Sequence, residues 1–207
     1  MAKIKHTKNE LKAQNESLSR FRRFLPMLQL KKQQLQSEIQ LIDAQIEEKQ
    51  AEVDGVMTGL RKWIPLFSEP VPEELTVLLE GIETDIGNIA GVNIPVLKSI
   101  ALRQNTPDLF ETPSWLDDAQ VVMESLIRHR VAIRILQEQR RLISEELRTT
   151  AQRVNLFEKV KIPECRENIR TIKIFLGDEQ TAAVARGKLA KRRAEKTADA
   201  SGAGLPI

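Results

Sequence analysis

The chain has little of what fills a thick protein interior. Of its 207 residues 4% are aromatic, with six Phe, two Trp and no Tyr. That shortage argues against a large globular core and for elements that each bury a single stripe. There is one cysteine, Cys165, which excludes an internal disulfide and a cysteine-rich zinc site. A small buried apolar side chain is its expected role, ahead of redox sensing. His6 and His129 are the two imidazoles; one lies in a basic leader and the other on a helical stripe, so no two-histidine metal site is expected. No apolar run approaches the roughly 18 residues of a membrane span, and Met1-Ala2-Lys3-Ile4-Lys5 lacks the apolar stretch of a signal peptide. A cytoplasmic chain without direct membrane insertion is the expectation.

Catalytic constellations are equally scarce. Gly187-Lys188 comes nearest to a phosphate loop, but Ala182 stands where its first glycine belongs and Leu189 replaces the magnesium-binding hydroxyl. The carboxylate neighbours Glu47/Glu48, Asp117/Asp118 and Glu145/Glu146 diverge on a helix and read as solvated faces. No catalytic residue, cofactor or metal site is expected.

What the chain does have is helix formers. Ala, Glu, Lys, Leu and Arg supply 94 residues, close to a long-helix composition. Charge divides it into blocks: 12 basic and 8 acidic groups in 1–66, 2 and 8 in 67–112, and 18 and 13 in 113–207. Six of the nine prolines fall in or beside the acidic block. The expected domains are an N-terminal coiled-coil helix (1–66), a compact acidic insert (67–112), a C-terminal coiled-coil helix (113–176), a basic terminal helix (177–196) and a disordered tail (197–207).

In the first helix, Thr7 and Glu10 form a possible capping box. Apolar residues then recur at 3-4 spacing, through Leu18, Phe21, Leu25, Leu28, Leu35, Ile39, Ile42 and Ile46. Such a stripe requires a partner helix along its length, with a kink expected at Pro26. The second helix is expected to start at Thr112-Pro113, with a seam through Leu126, Ile133, Leu136, Ile143, Leu147, Val154 and Phe157. His129 sits on that seam as a polar residue that sets register. Past Pro163 the stripe resumes one residue late, at Cys165, Ile169, Ile172 and Leu176, and Leu176-Gly177-Asp178 reads as a stop followed by a new cap. Helices of about 58 residues at 1.5 Å each are nearly 90 Å long, which favours a long antiparallel two-helix coiled coil in a mainly α chain. In the insert, Pro72-Glu73-Glu74-Leu75 can start a short helix. Residues 82–89 and 92–100 around Ala90-Gly91 read as a β-hairpin, with Pro95 at an edge.

Nine Lys/Arg against two Glu in 1–35, and eleven against five acids in 159–196, meet at the terminal end of such a hairpin. The basic tip is Lys3, Lys5, Lys8, Lys12, Lys188, Lys191, Arg192 and Arg193. It suits an acidic partner or polyanion, although the same charges can simply solvate an exposed coiled coil. DNA is a rival partner, but no aromatic residues interleave the basic ones and no groove-reading motif is present.

Three strings, in order, resemble those of the D subunit of V-type (vacuolar/archaeal-type) ATPases and ATP synthases. Met27-Leu28-Gln29-Leu30-Lys31-Lys32-Gln33-Gln34-Leu35 is similar to the family's N-terminal pattern Leu-Leu-Lys-x-Lys-Arg-x-x-Leu. Arg153-Val154-Asn155-Leu156-Phe157-Glu158 with Ile162-Pro163 resembles its C-terminal signature, and Asn88-Ile89-Ala90-Gly91-Val92-Asn93-Ile94-Pro95 its central hairpin. The similarity covers roughly residues 5–195, with a bacterial enzyme as its context. Gln29 departs from the family's usual Lys, and Phe24 and Pro26 occupy a stretch where many members carry Gly. The resemblance implies a non-catalytic central-stalk component. Its paired helices would enter the hexamer of catalytic A and B subunits, and its lower part would join the F subunit and the funnel-like component above the membrane rotor ring, turning as ATP hydrolysis or synthesis is coupled to ion flow. A dimerising coiled-coil scaffold and a basic nucleic-acid-binding coiled coil are the alternatives.

Overall fold

A computed structural model describes residues 4–61, 65, 77–103, 105 and 112–202. It is mainly α-helical. The helices are α1 (Lys8–Leu60), α2 (Leu116–Leu156) and α3 (Ile162–Gly202), with a single wide π-helical turn, Phe157–Lys161, between the last two. Strands β1 (Leu78–Ile89) and β2 (Val92–Arg103) form an antiparallel hairpin between α1 and α2. Contacts group Met1–Leu28 with Arg153–Ile207 in one compact unit and Gln29–Gln152 in a second.

In the second unit α1 and α2 run antiparallel: rising positions on α1 (Lys31, Asp43, Glu52) meet falling ones on α2 (Glu146, Arg140, His129). Between them lies a core of Leu35, Ile42 and Ile143, with Ile39, Ile46, Leu136 and Leu147 packed against it. Leu35 and Ile143 are 0% exposed. The hairpin adds Ile94 to the same core, with Ile89, Ala90 and Val92 beside it. Its two-residue turn has positive φ at Ala90 (50°) and Gly91 (81°), the left-handed pair that matches strand twist. Asn88 holds the turn, its Oδ1 accepting from the Gly91 amide at 3.0 Å and its Nδ2 donating to Asn93 Oδ1 at 2.9 Å. Gly87 is required by close approach, because a Cβ there would meet Val96 Cγ2 at 2.7 Å. Pro95 pairs with Ile86 on β1, and as a proline it brings no amide to the ladder. Its carbonyl instead accepts a hydrogen bond from Gln139 Nε2 of α2 at 2.5 Å.

In the first unit the N-terminal part of α1 packs antiparallel to the π-turn and α3. The rings of Phe21 and Phe157 lie 5.0 Å apart, His6 lies 4.8 Å from Phe175, and Gln14 Oε1 accepts from Asn168 Nδ2 at 3.5 Å. Val154, Ile162, Cys165, Ile169 and Ile172 form the buried stripe. The π-turn explains the late stripe: the Ile162 amide reaches back to the Phe157 carbonyl, one residue further than in an α-helix, so one extra residue enters the turn. A regular helix would also press the Pro163 ring against the Lys159 carbonyl; a widened turn relieves that clash.

Four sequence expectations need correction. Residues 113–115 precede α2 instead of opening it: the Leu116 amide donates to the Pro113 carbonyl at 3.0 Å, a tight turn, and the acidic first turn is Asp117 and Asp118. The helix does not stop at Gly177, since α3 continues to Gly202. An interior Gly costs only about 1 kcal/mol, and the Thr181 hydroxyl donates back to the Gly177 carbonyl at 3.0 Å. The helical backbone therefore enters the stretch assigned to the tail, while 203–207 lie outside the described residues. The strands are longer than 82–89 and 92–100, because irregularities at Leu79/Gly81 and Glu83/Thr84 interrupt the alternation without ending the pairing. Of the capping box only one half forms: Thr7 Oγ1 accepts from the Glu10 amide at 3.2 Å, while Glu10 Oε1 accepts from Gln14. Pro26 lies within α1 without ending it. The expected helix at Pro72-Glu73-Glu74-Leu75 falls outside the described residues.

Leu35→Asp or Ile143→Asp places an unpaired charge in the sealed seam and should cost several kcal/mol; unchanged helicity and melting by circular dichroism would contradict the packing described. Deleting Val160 together with Pro163→Ala should convert the wide turn into regular helix with the seam in phase, leaving the melting temperature at or above the parent's. Deletion with Pro163 retained should lower it, through a loss of stability of about 3 kcal/mol. A double variant that loses helicity would refute this origin of the turn.

Candidate functional site

Three surfaces of the described residues are informative. The first is the seam. Leu35, Ile42, Leu126, Ile143 and Val154 are buried, while Leu18, Phe21, Leu25, Leu28, Ile39, Ile46, Ile133, Leu136, Leu147 and Phe157 are half-buried. All therefore face inward, each within its own unit.

The second surface is basic. Lys5, Lys8 and Lys12 are exposed around the start of α1, at the level where His6 meets Phe175; Lys3 lies outside the described residues. Lys188, Lys191, Arg192 and Arg193 are exposed on α3. They sit 13 to 18 residues beyond Phe175, about 20–27 Å further along the helix at 1.5 Å per residue. The expected single tip is thus two tiers. Every residue from 177 to 196 is exposed, so this stretch of α3 has no companion helix among the described residues.

The third surface is a set of polar clasps across the α1–α2 seam. Lys31 Nζ donates to Glu146 Oε1 at 2.6 Å, Arg140 Nε pairs with Asp43 Oδ1 at 2.6 Å, and His129 Nδ1 lies 3.0 Å from Glu52 Oε2. Lys49 Nζ completes the third clasp, 2.7 Å from Glu52 Oε2. Each clasp is satisfied in only one alignment of the helices, so together they oppose slippage that an aliphatic seam alone would tolerate.

The family model for the D subunit of ATP synthase matches residues 10–192, spanning both helical arms and the hairpin. The chain belongs to the ATP synthase D-subunit family. Among curated relatives named as V-type ATP synthase D subunits, that of Borreliella burgdorferi is 46% identical over 191 residues, covering 92% of this chain and 95% of the relative. The Chlamydia muridarum protein is 34% identical, covering 94% of this chain and 98% of its own, and that of Chlamydia caviae 31% identical over 97% and 98%.

For a D-subunit chain, the clasp residues that sequence reasoning missed are Lys31, Asp43, Glu52 and Glu146. Charged residues beside a seam are common, and only the antiparallel register reveals which of them face each other. Gln139 was likewise invisible, because its partner is the main-chain carbonyl of Pro95. Among the described residues no group of three His, Cys, Asp or Glu side chains is placed to hold a metal ion, and no helix is long and apolar enough to cross a membrane. Burial, with Glu164 alongside, raises the Cys165 thiol above its ordinary pKa, which suits packing better than reactivity.

The hydrogen bond from Lys49, followed by its charge and that of His129, holds Glu52 below the usual carboxylate pKa. The same bond raises Lys49. A lowered carboxylate stabilises the fold above its unfolded pKa, and that contribution disappears as pH falls through the folded value. Glu52→Gln should therefore lower the melting temperature at pH 7, with the difference shrinking steadily as the pH is brought down through the carboxylate range. An equal difference at neutral and acid pH would contradict the clasp.

Proposed function

We propose that this D-family chain is the central-stalk shaft of a V-type ATPase or ATP synthase. It transmits torque between ATP hydrolysis or synthesis in the hexamer of catalytic A and B subunits and ion translocation by the membrane rotor ring. The observation that carries this reading is the antiparallel seam itself, sealed by aliphatic side chains and pinned in register by the clasps of Lys31, Asp43 and Glu52. Torque passes along a pair of helices only if the two resist sliding past one another, and packed apolar stripes with register-specific polar pairs provide that resistance. The chain contributes no catalytic group, nucleotide site or metal. It contacts the A and B subunits at its basic end, and the F subunit and the funnel-like component nearer the hairpin. Its place is cytoplasmic, on the cytoplasmic side of the cell membrane, where it is peripheral and held through the complex.

In this reading the unaccompanied part of α3 is the portion inserted deepest into the catalytic sleeve, with Lys188, Lys191, Arg192 and Arg193 as its inner tier and Lys5, Lys8 and Lys12, with Lys3, as its outer tier. Positive charge there meets the changing faces of the catalytic pairs through long-range attraction, which guides without the tight contacts that would stall rotation.

Replacing Lys188, Lys191, Arg192 and Arg193 by Gln in the assembled complex should reduce ion transport per ATP hydrolysed, and adding Lys5→Gln, Lys8→Gln and Lys12→Gln should reduce it further. The isolated chain should keep its helicity and melting temperature, since these side chains are exposed. Unchanged coupling in the variant carrying all these replacements would refute the role given to the basic tiers.

A further inference from the structure

The buried stripe of α3 runs as far as Ile172, and Phe175 still meets the His6 ring at 4.8 Å. Beyond it the backbone stays helical to Gly202, although every side chain from 177 to 196 is exposed, Val184 and Leu189 among them. About 30 Å of helix therefore rests on local terms alone, whereas most protein helices owe their stability to a packed face. Those local terms are finely balanced. Ala182, Ala183, Ala185, Ala190 and Ala194 favour the helix, and continuation from a packed helix spares it a nucleation step. Against them, the Thr181 hydroxyl bonds back to the Gly177 carbonyl at 3.0 Å, a contact that slightly destabilises helices. The pair Lys191–Glu195 is 3.8 Å long with side chains 79% and 60% exposed, and such pairs contribute little. Gly177 and Gly187 interrupt the run, and a Cβ built on either meets nothing within 4 Å. No packing within the chain asks for glycine there. Alanine would fit at both positions and favour the helix about fivefold at each, so the glycines lower the stability of this stretch without serving a close approach inside the chain.

We propose that α3 beyond Gly177 is a helix completed by assembly: it frays over much of its length in the free chain and becomes fully helical once another component encloses it. The proposal rests on the shaft reading above, in which that component is the catalytic sleeve. Glycine loses more conformational freedom on entering a helix than any other residue, so the two glycines set where fraying begins, first beyond Gly187 and then back to Gly177. The packed stretch around Ile169 and Ile172 stays folded and serves as the nucleus. Once the walls of the sleeve keep water from Val184, Leu189 and the backbone bonds that the glycines leave open, the helix extends by propagation alone. Ordering on binding lowers the affinity obtained from a given contact area, so this end is held less tightly than its length suggests. Lys188, Lys191, Arg192 and Arg193 then occupy fixed places on a helix face only inside the complex, and in the free chain they form a loose cationic end.

The test is amide hydrogen–deuterium exchange, read by mass spectrometry on the full-length chain alone and in the assembled complex. In the free chain the amides of 188–196 should exchange far faster than those around Ile169 and Ile172, and assembly should slow them by at least about tenfold. Gly177→Ala with Gly187→Ala should slow the same amides about fivefold or more in the free chain, with exchange at Ile169 and Ile172 unchanged and the variant still incorporated into the complex. Protection of 188–196 in the free chain equal to that of Ile169 and Ile172 would overturn the proposal and leave the shaft reading in place. So would a double variant that exchanges as fast as the parent, or one that no longer assembles, since the glycines would then serve a partner's close approach. Fast exchange of 188–196 in the free chain and in the complex alike would overturn both, because no sleeve would then enclose this end of α3.

Discussion

Water exclusion along one aliphatic seam is the constraint on which the rest depends. In the unit formed by Gln29–Gln152, Leu35 and Ile143 are sealed from solvent, and the hairpin finds its place by inserting Ile94 beside them. Without that seam neither long helix has a reason to persist, because tertiary packing of an amphipathic face outweighs intrinsic propensity in most protein helices. A two-stranded hairpin is marginal alone in water, and here it borrows the same core. The shortage of aromatic residues is consistent with this plan, since a stripe two helices wide is filled by Leu, Ile and Val.

A purely aliphatic stripe specifies pairing better than it specifies alignment. The polar clasps narrow the choice, and each joins groups far apart in sequence: Lys31 with Glu146, Asp43 with Arg140, Glu52 with His129. Individually such partly exposed pairs contribute little to stability. Their value lies in being satisfied together in one register and frustrated in any other. One polar group runs against this economy: the Thr150 hydroxyl is fully buried and has no partner among the described residues, at a cost of about 1–3 kcal/mol, and nothing in the structure explains it.

Much of this was legible in the residues. The 3-4 spacing located both arms, and Ala90-Gly91 between β-branched runs located the hairpin turn. The late stripe after Phe157 was visible as a one-residue slip at Pro163, although its structural form, a π-turn, was not. Other features escaped because they depend on tertiary context. Gly177 has the look of a helix end, yet a glycine is tolerated inside a helix whose neighbours favour it. The strands outlast their alternation because irregular residues displace side chains without breaking the ladder. The two basic tiers appeared as one cluster because charge counts carry no information about how far α3 extends past the start of α1.

The shaft role proposed above has the seam, its clasps and the hairpin carry torque, and its most direct test is to watch the chain turn. With the catalytic subunits fixed to a surface and a reporter particle attached through a cysteine placed at Ile86, which is 77% exposed, adding ATP should produce unidirectional rotation of the particle. Its rate should rise and fall with hydrolysis in the same molecules. Sustained ATP hydrolysis in complexes that retain this chain, with the particle stationary, would contradict the account.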